Sequence, residues 1–167
     1  EAFIYQQITH GRLKDILSFT QNEKHVIITG KKGKRLPLRI QVELTRECNL
    51  NCMHCYKIAN KDRNKIGLEE LKRLLNYLPD PLFEIGVTGG EPTVHKDFIE
   101  ITEMIAEKAL RLGLNTNGIL LWKLPSDIVQ KYKLINISLY GTSDKEYYQV
   151  SGSKNAFSEL EKSTLFL

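Results

Sequence analysis

The chain has 167 residues, 41% of them hydrophobic and 26% charged, with a formal net charge of +4. That length buries one core with room for a small appendage, and the mild positive balance admits an anionic partner without requiring one, so no nucleic-acid partner is expected. No apolar run approaches the roughly 20 residues of a bilayer span, and Glu1–Tyr5 has no basic segment ahead of an apolar one; neither a membrane association nor a signal peptide is expected.

Residues 1–37 stand apart from the remainder of the chain. Thr9 is placed to cap a helix running to Thr20, with Leu13, Ile16 and Leu17 inward. Val26–Thr29 reads as a strand that turns through Gly30–Lys34 and pairs with the residues after it. The basic run Lys31, Lys32, Lys34 and Arg35 reads as a solvated hairpin turn in preference to a grip for an acidic peptide.

From Leu38 onward strands and helices alternate. Arg39–Thr45 has the period of two of a strand. Leu68, Leu71, Leu74, Leu75 and Leu78 recur at helical spacing between Gly67 and Pro79. Phe83–Thr88 is a second strand, and Asp97–Leu110 a helix with Phe98, Ile101, Ile105 and Ala109 on one face. Arg111–Asn115 is a short strand, Pro125–Lys131 a helix with proline at its start, and Leu134–Leu139 a fourth strand. Tyr147, Tyr148 and Gly152 read as helix packing and a loop, Trp122 as core or rim, and Asn155–Leu167 as a last helix.

This alternation predicts parallel βαβ units with right-handed crossovers. The expected fold is α/β: a parallel (β/α) partial TIM-like barrel of about four βα units, with a small helix–hairpin appendage at its N-terminus. The last helix reaches Phe166–Leu167 without a cap, and four parallel strands leave an edge that proteins normally cover. A core at 38–167 cut from a longer protein is therefore expected.

All three cysteines lie in Cys48-Asn-Leu-Asn-Cys52-Met-His-Cys55. An odd number packed so closely makes a poor disulfide framework, whereas a reducing cytoplasm with metal or cluster chemistry suits it. Four-iron clusters normally take four cysteines; three leave one iron open for a ligand. Zinc is the competing reading. A structural zinc site wants four ligands, usually as two spaced pairs, and here only Cys52-x-x-Cys55 is such a pair, with His54 badly placed and His95 a distant candidate. Spacing favours the cluster and leaves zinc open.

Thr88-Gly-Gly-Glu-Pro92 comes after the second strand as the cysteines come after the first. Alone it reads as a turn. Asn115-Thr-Asn-Gly118 and Ser138-Leu-Tyr-Gly141 end the third and fourth strands, and each also reads as a glycine-terminated turn. Together, four polar clusters sit at the C-terminal ends of four consecutive strands, the end of a parallel array that binds ligands.

The Cys-x3-Cys-x2-Cys run, set in Glu43–Tyr56 and succeeded by Thr88–Pro92, resembles the signature of the radical S-adenosylmethionine (SAM) superfamily, and most of all its peptide-modifying, SPASM-type maturases. The resemblance covers residue 38 to the end. It implies a [4Fe–4S] cluster on Cys48, Cys52 and Cys55, with the amino and carboxylate groups of SAM on the open iron. It implies that His54, in a place that is typically aromatic, lies near the adenine. Gly89, Gly90 and Glu91 are to meet the SAM ammonium, Asn117 the methionine or ribose portion, and Ser138 the ribose. Relatives often carry Ser-x-Asp-Gly where Tyr140 replaces the Asp.

By the same resemblance, the reduced cluster cleaves SAM to methionine and a 5′-deoxyadenosyl radical that abstracts hydrogen from a peptide or small-molecule substrate, with electrons from a donor such as flavodoxin or ferredoxin. Residues 1–37 are then the remnant of a winged-helix peptide binder. The alternatives are a radical SAM enzyme of cofactor biosynthesis and a non-catalytic cluster- or zinc-binding fragment.

Overall fold

The computed structural model describes residues 19–23, 26–30, 39–55, 64–78 and 82–167. Strands β1 (Phe19–Glu23) and β2 (Val26–Gly30) pair antiparallel, from Phe19↔Gly30 to Glu23↔Val26. This corrects one expectation. Phe19 and Thr20 belong to a strand and not to the end of a helix; the rest of that helix lies outside the described residues. Strand β2 pairs with the strand before it, because only two residues separate β1 from β2 and so short a connection closes the local hairpin first; the pairing expected with the residues just after Gly30 lies outside the described residues.

The second sheet is parallel, in the order β3 (Arg39–Glu43), β4 (Leu82–Thr88), β5 (Ala109–Thr116), β6 (Tyr132–Ile137). Helices α1 (Leu68–Tyr77), α2 (Phe98–Lys108) and the short α3 (Ser126–Val129) alternate with these strands. Helix α4 (Asp144–Ser151) and helix α5 (Ala156–Phe166) complete the chain. The architecture is the α/β partial barrel that the alternation predicts. No helix among the described residues is long and apolar enough to cross a membrane.

Side-chain alternation gives the sheet two unlike faces. On the outer face Val42, Ile85, Val87, Leu112 and Leu114 pack with Leu71 and Leu75 of α1 and Phe98, Ile101 and Ile105 of α2 into one core. The Tyr132 ring stacks on Phe98 at 6.0 Å, and its hydroxyl meets Thr102 Oγ1 at 2.8 Å. A register shift between Leu112 and Gly113 skips Lys133, which lets Tyr132 face the helices while Leu134 pairs with Gly113.

The inner face is polar. Arg39, Glu84 and Arg111 are aligned across three strands, with Gln41, Gly86 and Gly113 in the next aligned row. Glu84 is 4% exposed and lies between Arg39 Nε at 3.0 Å and Arg111 Nε at 3.6 Å. A buried carboxylate needs such compensation.

Helix α2 stops at Lys108, two residues before the predicted end, because Ala109 and Leu110 already belong to β5. Both are good helix formers, and pairing with β4 overrides that propensity. Helix α4 carries a start signal that periodicity alone does not show: Ser143 Oγ accepts from Glu146 N–H at 3.3 Å, and Glu146 Oε2 accepts from Thr142 N–H at 2.6 Å, a variant of the capping box. Gly152, at φ +71°, ends it in a left-handed cap.

Candidate functional site

The cysteine loop leaves the end of β3 and is joined to the end of β4 by backbone bonds. Leu44 N–H donates to Thr88 O at 2.9 Å, Gly90 N–H to Thr45 O at 2.7 Å, and Glu91 N–H to Glu47 O at 2.8 Å. Glycine is required for this approach. A Cβ on Gly89 would overlap Thr45 O, and one on Gly90 would overlap Glu47 O and stand 2.7 Å from Arg46 O. The glycine pair thus presses the turn after β4 onto the three residues that lead into Cys48.

Glu91 is wholly buried. Its Oε1 accepts from Thr93 N–H at 3.1 Å, from the Thr93 hydroxyl at 2.6 Å and from the Thr116 hydroxyl at 2.7 Å, while Oε2 accepts from Asn117 N–H at 2.7 Å. Burial pushes the carboxyl above its ordinary value against the pull of these donors. The side chain read as a contact to a ligand's ammonium is turned inward, where it ties the end of β4 to the end of β5.

The loop is then fixed from two further sides. Asn51 N–H donates to Ser151 O at 3.0 Å and Met53 N–H to Val150 O at 2.9 Å, using carbonyls in the last turn of α4, which has no next turn to bond. Asn117 Nδ2 donates to Asn49 Oδ1 at 2.7 Å. Leu50, Ile119, Tyr147, Ala156 and Leu160 form a second core, against which Cys48 and Cys52 pack.

These contacts set the thiol chemistry. Cys48 Sγ accepts from Leu50 N–H at 3.4 Å, yet burial lifts its thiol from 9.0 to about 11. The negative Glu91 and the neighbouring Cys52 and Cys55 add to that rise. Burial also raises Cys52, opposed by a hydrogen bond from Tyr140. Cys55 is exposed, and its N–H closes a turn onto Cys52 O at 3.0 Å. The three thiols thus lie near one another, two half-buried and one open to solvent.

His54 is exposed and meets the Tyr140 ring edge-on at 5.1 Å; Tyr140 leads on to Tyr147 at 5.6 Å, and Tyr147 to Phe157 at 5.6 Å. Ser138 is exposed at the end of β6; its N–H donates to Thr116 O at 3.0 Å and its carbonyl accepts from the Tyr147 hydroxyl at 3.1 Å. Cys48, Gly89–Glu91, Asn117 and Ser138 therefore lie at the ends of four adjacent strands. Nothing in the sequence singles out Asn49, and Tyr140 stands out there only as a departure from the family pattern. The part that helix α4 plays in holding the loop is also hidden; the Ser-x-x-Glu pattern at Ser143 was the one available signal for its start.

His95 is not free to act as a zinc ligand. It is 4% exposed, its Nε2 donates to Ile66 O at 3.0 Å, and its Nδ1 accepts from Asp97 N–H at 3.1 Å. Both ring nitrogens are in use, so coordination would break one of these bonds. Among the described residues no three His, Cys, Asp or Glu side chains converge on one metal ion. A zinc site brings every sulfur to about 2.3 Å from a single metal, whereas a four-iron cluster holds each thiolate on a different iron and spreads them apart. Three neighbouring cysteines with no fourth ligand among the described residues fit the cluster.

The curated relatives point the same way. The chain is 30% identical over 170 residues to the subtilosin biosynthesis protein AlbA of Bacillus subtilis, covering 92% of this chain and 38% of AlbA. It is 33% identical over 116 residues to a probable GTP 3′,8-cyclase of Pyrococcus abyssi, covering 68% of this chain and 38% of that one. The chain thus spans well under half the length of either. Among solved structures, Streptococcus suis SuiB bound to its precursor peptide SuiA superposes with a TM-score of 0.62 at 20% identity, over 99% of this chain and 43% of SuiB, a likeness of fold. The family model described as the Radical SAM superfamily matches residues 42–164, and the chain belongs to that superfamily, whose members use a [4Fe–4S] cluster with SAM.

Proposed function

We propose that this chain is the cofactor-binding part of a radical SAM enzyme that modifies a peptide, with Cys48, Cys52 and Cys55 as the cluster ligands. The carrying observation is the union of three strand ends: Gly90 and Glu91 backbone N–H groups bonded to Thr45 and Glu47, and the Glu91 carboxylate bonded to Asn117. When bound, the reduced cluster supplies the electron that splits SAM into methionine and a 5′-deoxyadenosyl radical.

The protein's part is placement and exclusion of water. The half-buried Cys48 and Cys52 hold their side of the site against an apolar core. Backbone carbonyls of the Gly89–Gly90 turn take the SAM ammonium, since the Glu91 carboxylate already has four protein donors. The exposed His54 and the Tyr140 ring offer an apolar edge for adenine, and Ser138 offers its hydroxyl to the ribose.

A peptide substrate is favoured because the AlbA alignment covers 92% of this chain against 68% for the GTP cyclase, and because the peptide-bound SuiB superposes over 99% of it. A flavodoxin or ferredoxin in a reducing cytoplasm is the donor that such chemistry needs.

The test is anaerobic reconstitution with iron and sulfide, then reduction with dithionite in the presence of SAM. Release of 5′-deoxyadenosine, abolished by Cys52→Ala, is expected. Uptake of one zinc per chain with no sulfide-containing cluster would overturn the proposal.

A further inference from the structure

Asn117 is 7% exposed, and its backbone N–H, its amide oxygen and its amide nitrogen each have a partner. The backbone N–H donates to Glu91 Oε2 at 2.7 Å. Its Oδ1 accepts from Ile119 N–H at 3.1 Å, a local turn of the kind asparagine favours. That second bond fixes the amide, because the carbonyl oxygen facing Ile119 leaves the NH2 facing the cysteine loop. Nδ2 lies 2.7 Å from Asn49 Oδ1 and 4.0 Å from Cys48 Sγ. Two N–H groups face two acceptors on the loop.

We infer that Asn117 is a positioning residue for the cysteine loop: its amide NH2 braces Asn49 and donates to Cys48 Sγ, so the end of β5 holds the loop in its loading shape and sets the reduction potential of the cluster. The inference rests on the cluster reading of the three cysteines. Its physics is separate from SAM binding. An N–H aimed at a cluster thiolate stabilises the more negative, reduced state and raises the potential. The Asn49 bond acts on the loop instead, limiting the conformations in which Cys48 faces away from its neighbours.

Two variants separate these effects. Asn117→Ser keeps a side-chain oxygen for Ile119 N–H and the backbone bond to Glu91, but is too short to reach either loop acceptor. Asn49→Ala, at an exposed position, removes the brace and leaves the Asn117 amide free to donate to Cys48. The full chain is reconstituted, folding is checked by circular dichroism, and two quantities are read: iron release to a chelator and the midpoint potential from an EPR-monitored titration.

Both variants are expected to release iron several-fold faster than wild type. Asn117→Ser is expected to shift the midpoint to more negative potential, while Asn49→Ala leaves it unchanged or shifts it positive. A merely structural asparagine would move release in both and the potential in neither. A wild-type chain that loads its cluster, with Asn117→Ser at the wild-type potential or both variants at the wild-type release rate, overturns this inference alone. A wild-type chain that assembles no cluster overturns it together with the proposed function.

Discussion

Gly90→Ala tests whether the glycine pair exists for close approach. Gly90 is not among the glycines with positive φ, so the obstacle is space and not backbone strain. The added methyl would overlap Glu47 O and stand 2.7 Å from Arg46 O and 2.8 Å from Glu47 C. All three are backbone atoms of the segment leading into Cys48. That segment is held by Gly90 N–H on Thr45 O at 2.7 Å and Glu91 N–H on Glu47 O at 2.8 Å. Making room means parting it from the turn. Two backbone bonds at about 1 kcal/mol each and overpacking of about 1–3 kcal/mol sum to about 3–5 kcal/mol. Against a total stability of about 5–15 kcal/mol, that loss is large. Gly86→Ala is the control: its nearest neighbours would be Gln41 Cγ and Ile40 O, both at 3.7 Å, ordinary contact worth about 0.5 kcal/mol or less. Urea unfolding monitored by circular dichroism gives both values, and iron per chain after reconstitution is read in parallel. Gly90→Ala should lose most of its iron and Gly86→Ala none. A Gly90→Ala chain within about 1 kcal/mol of wild type, or loading iron as wild type does, refutes the reasoning.

In the metal-free chain at pH 8, iodoacetamide should modify the exposed Cys55 first and Cys48 last, because burial lifts the Cys48 thiol to about 11 and the thiolate is the nucleophile; a mass-spectrometric time course in which Cys48 keeps pace with Cys55 contradicts this. Glu91→Gln should gain stability relative to wild type as pH rises above 4.5. A carboxyl whose folded pKa is raised holds its proton more tightly when folded, so wild type loses stability through that window while the neutral glutamine does not; urea midpoints at pH 4.5 and 7.5 that differ by a constant amount exclude it. Ser143→Ala removes the cap on Glu146 N–H and should cost about 1 kcal/mol in the same unfolding assay, with no loss expected if α4 is held by packing alone.

What the sequence shows and what it hides divide along one physical line. Local periodicity is enough for the four parallel strands and for α1 and α2. It fails where a partner distant in sequence decides. Ala109 and Leu110 look helical until β4 pairs with β5. The same line runs through the site. Cys48, Cys52, Cys55 and Gly89–Glu91 are visible as motifs because their chemistry is in their spacing. His95 carries the right chemistry for a metal in the wrong surroundings, and only the bonds to Ile66 and Asp97 reveal it. Asn49 looks in the sequence like any other polar residue of its loop; only the fold brings Asn117, 68 residues away, to within 2.7 Å of it.

The arrangement also bears on how the cysteine loop is kept in shape before a cluster binds. No disulfide holds it, since the three cysteines are free. Its path is set instead by the bonds of Gly90 and Glu91 to Thr45 and Glu47, by the Asn117 brace, and by Asn51 and Met53 on the last carbonyls of α4. That matters because burial raises the Cys48 and Cys52 thiols and so favours their protonated form. Ligation must therefore release protons and place thiolates in apolar surroundings, a cost met by iron–sulfur bonding only when the sulfurs are already in reach. A loop that also had to be ordered at that moment would add about 1–2 kcal/mol for each residue fixed. The glycine pair and the Glu91 strut remove that second cost in advance. On this argument they serve assembly of the proposed cluster, and a variant that loosens the loop should be more defective in loading iron than in holding a cluster once formed.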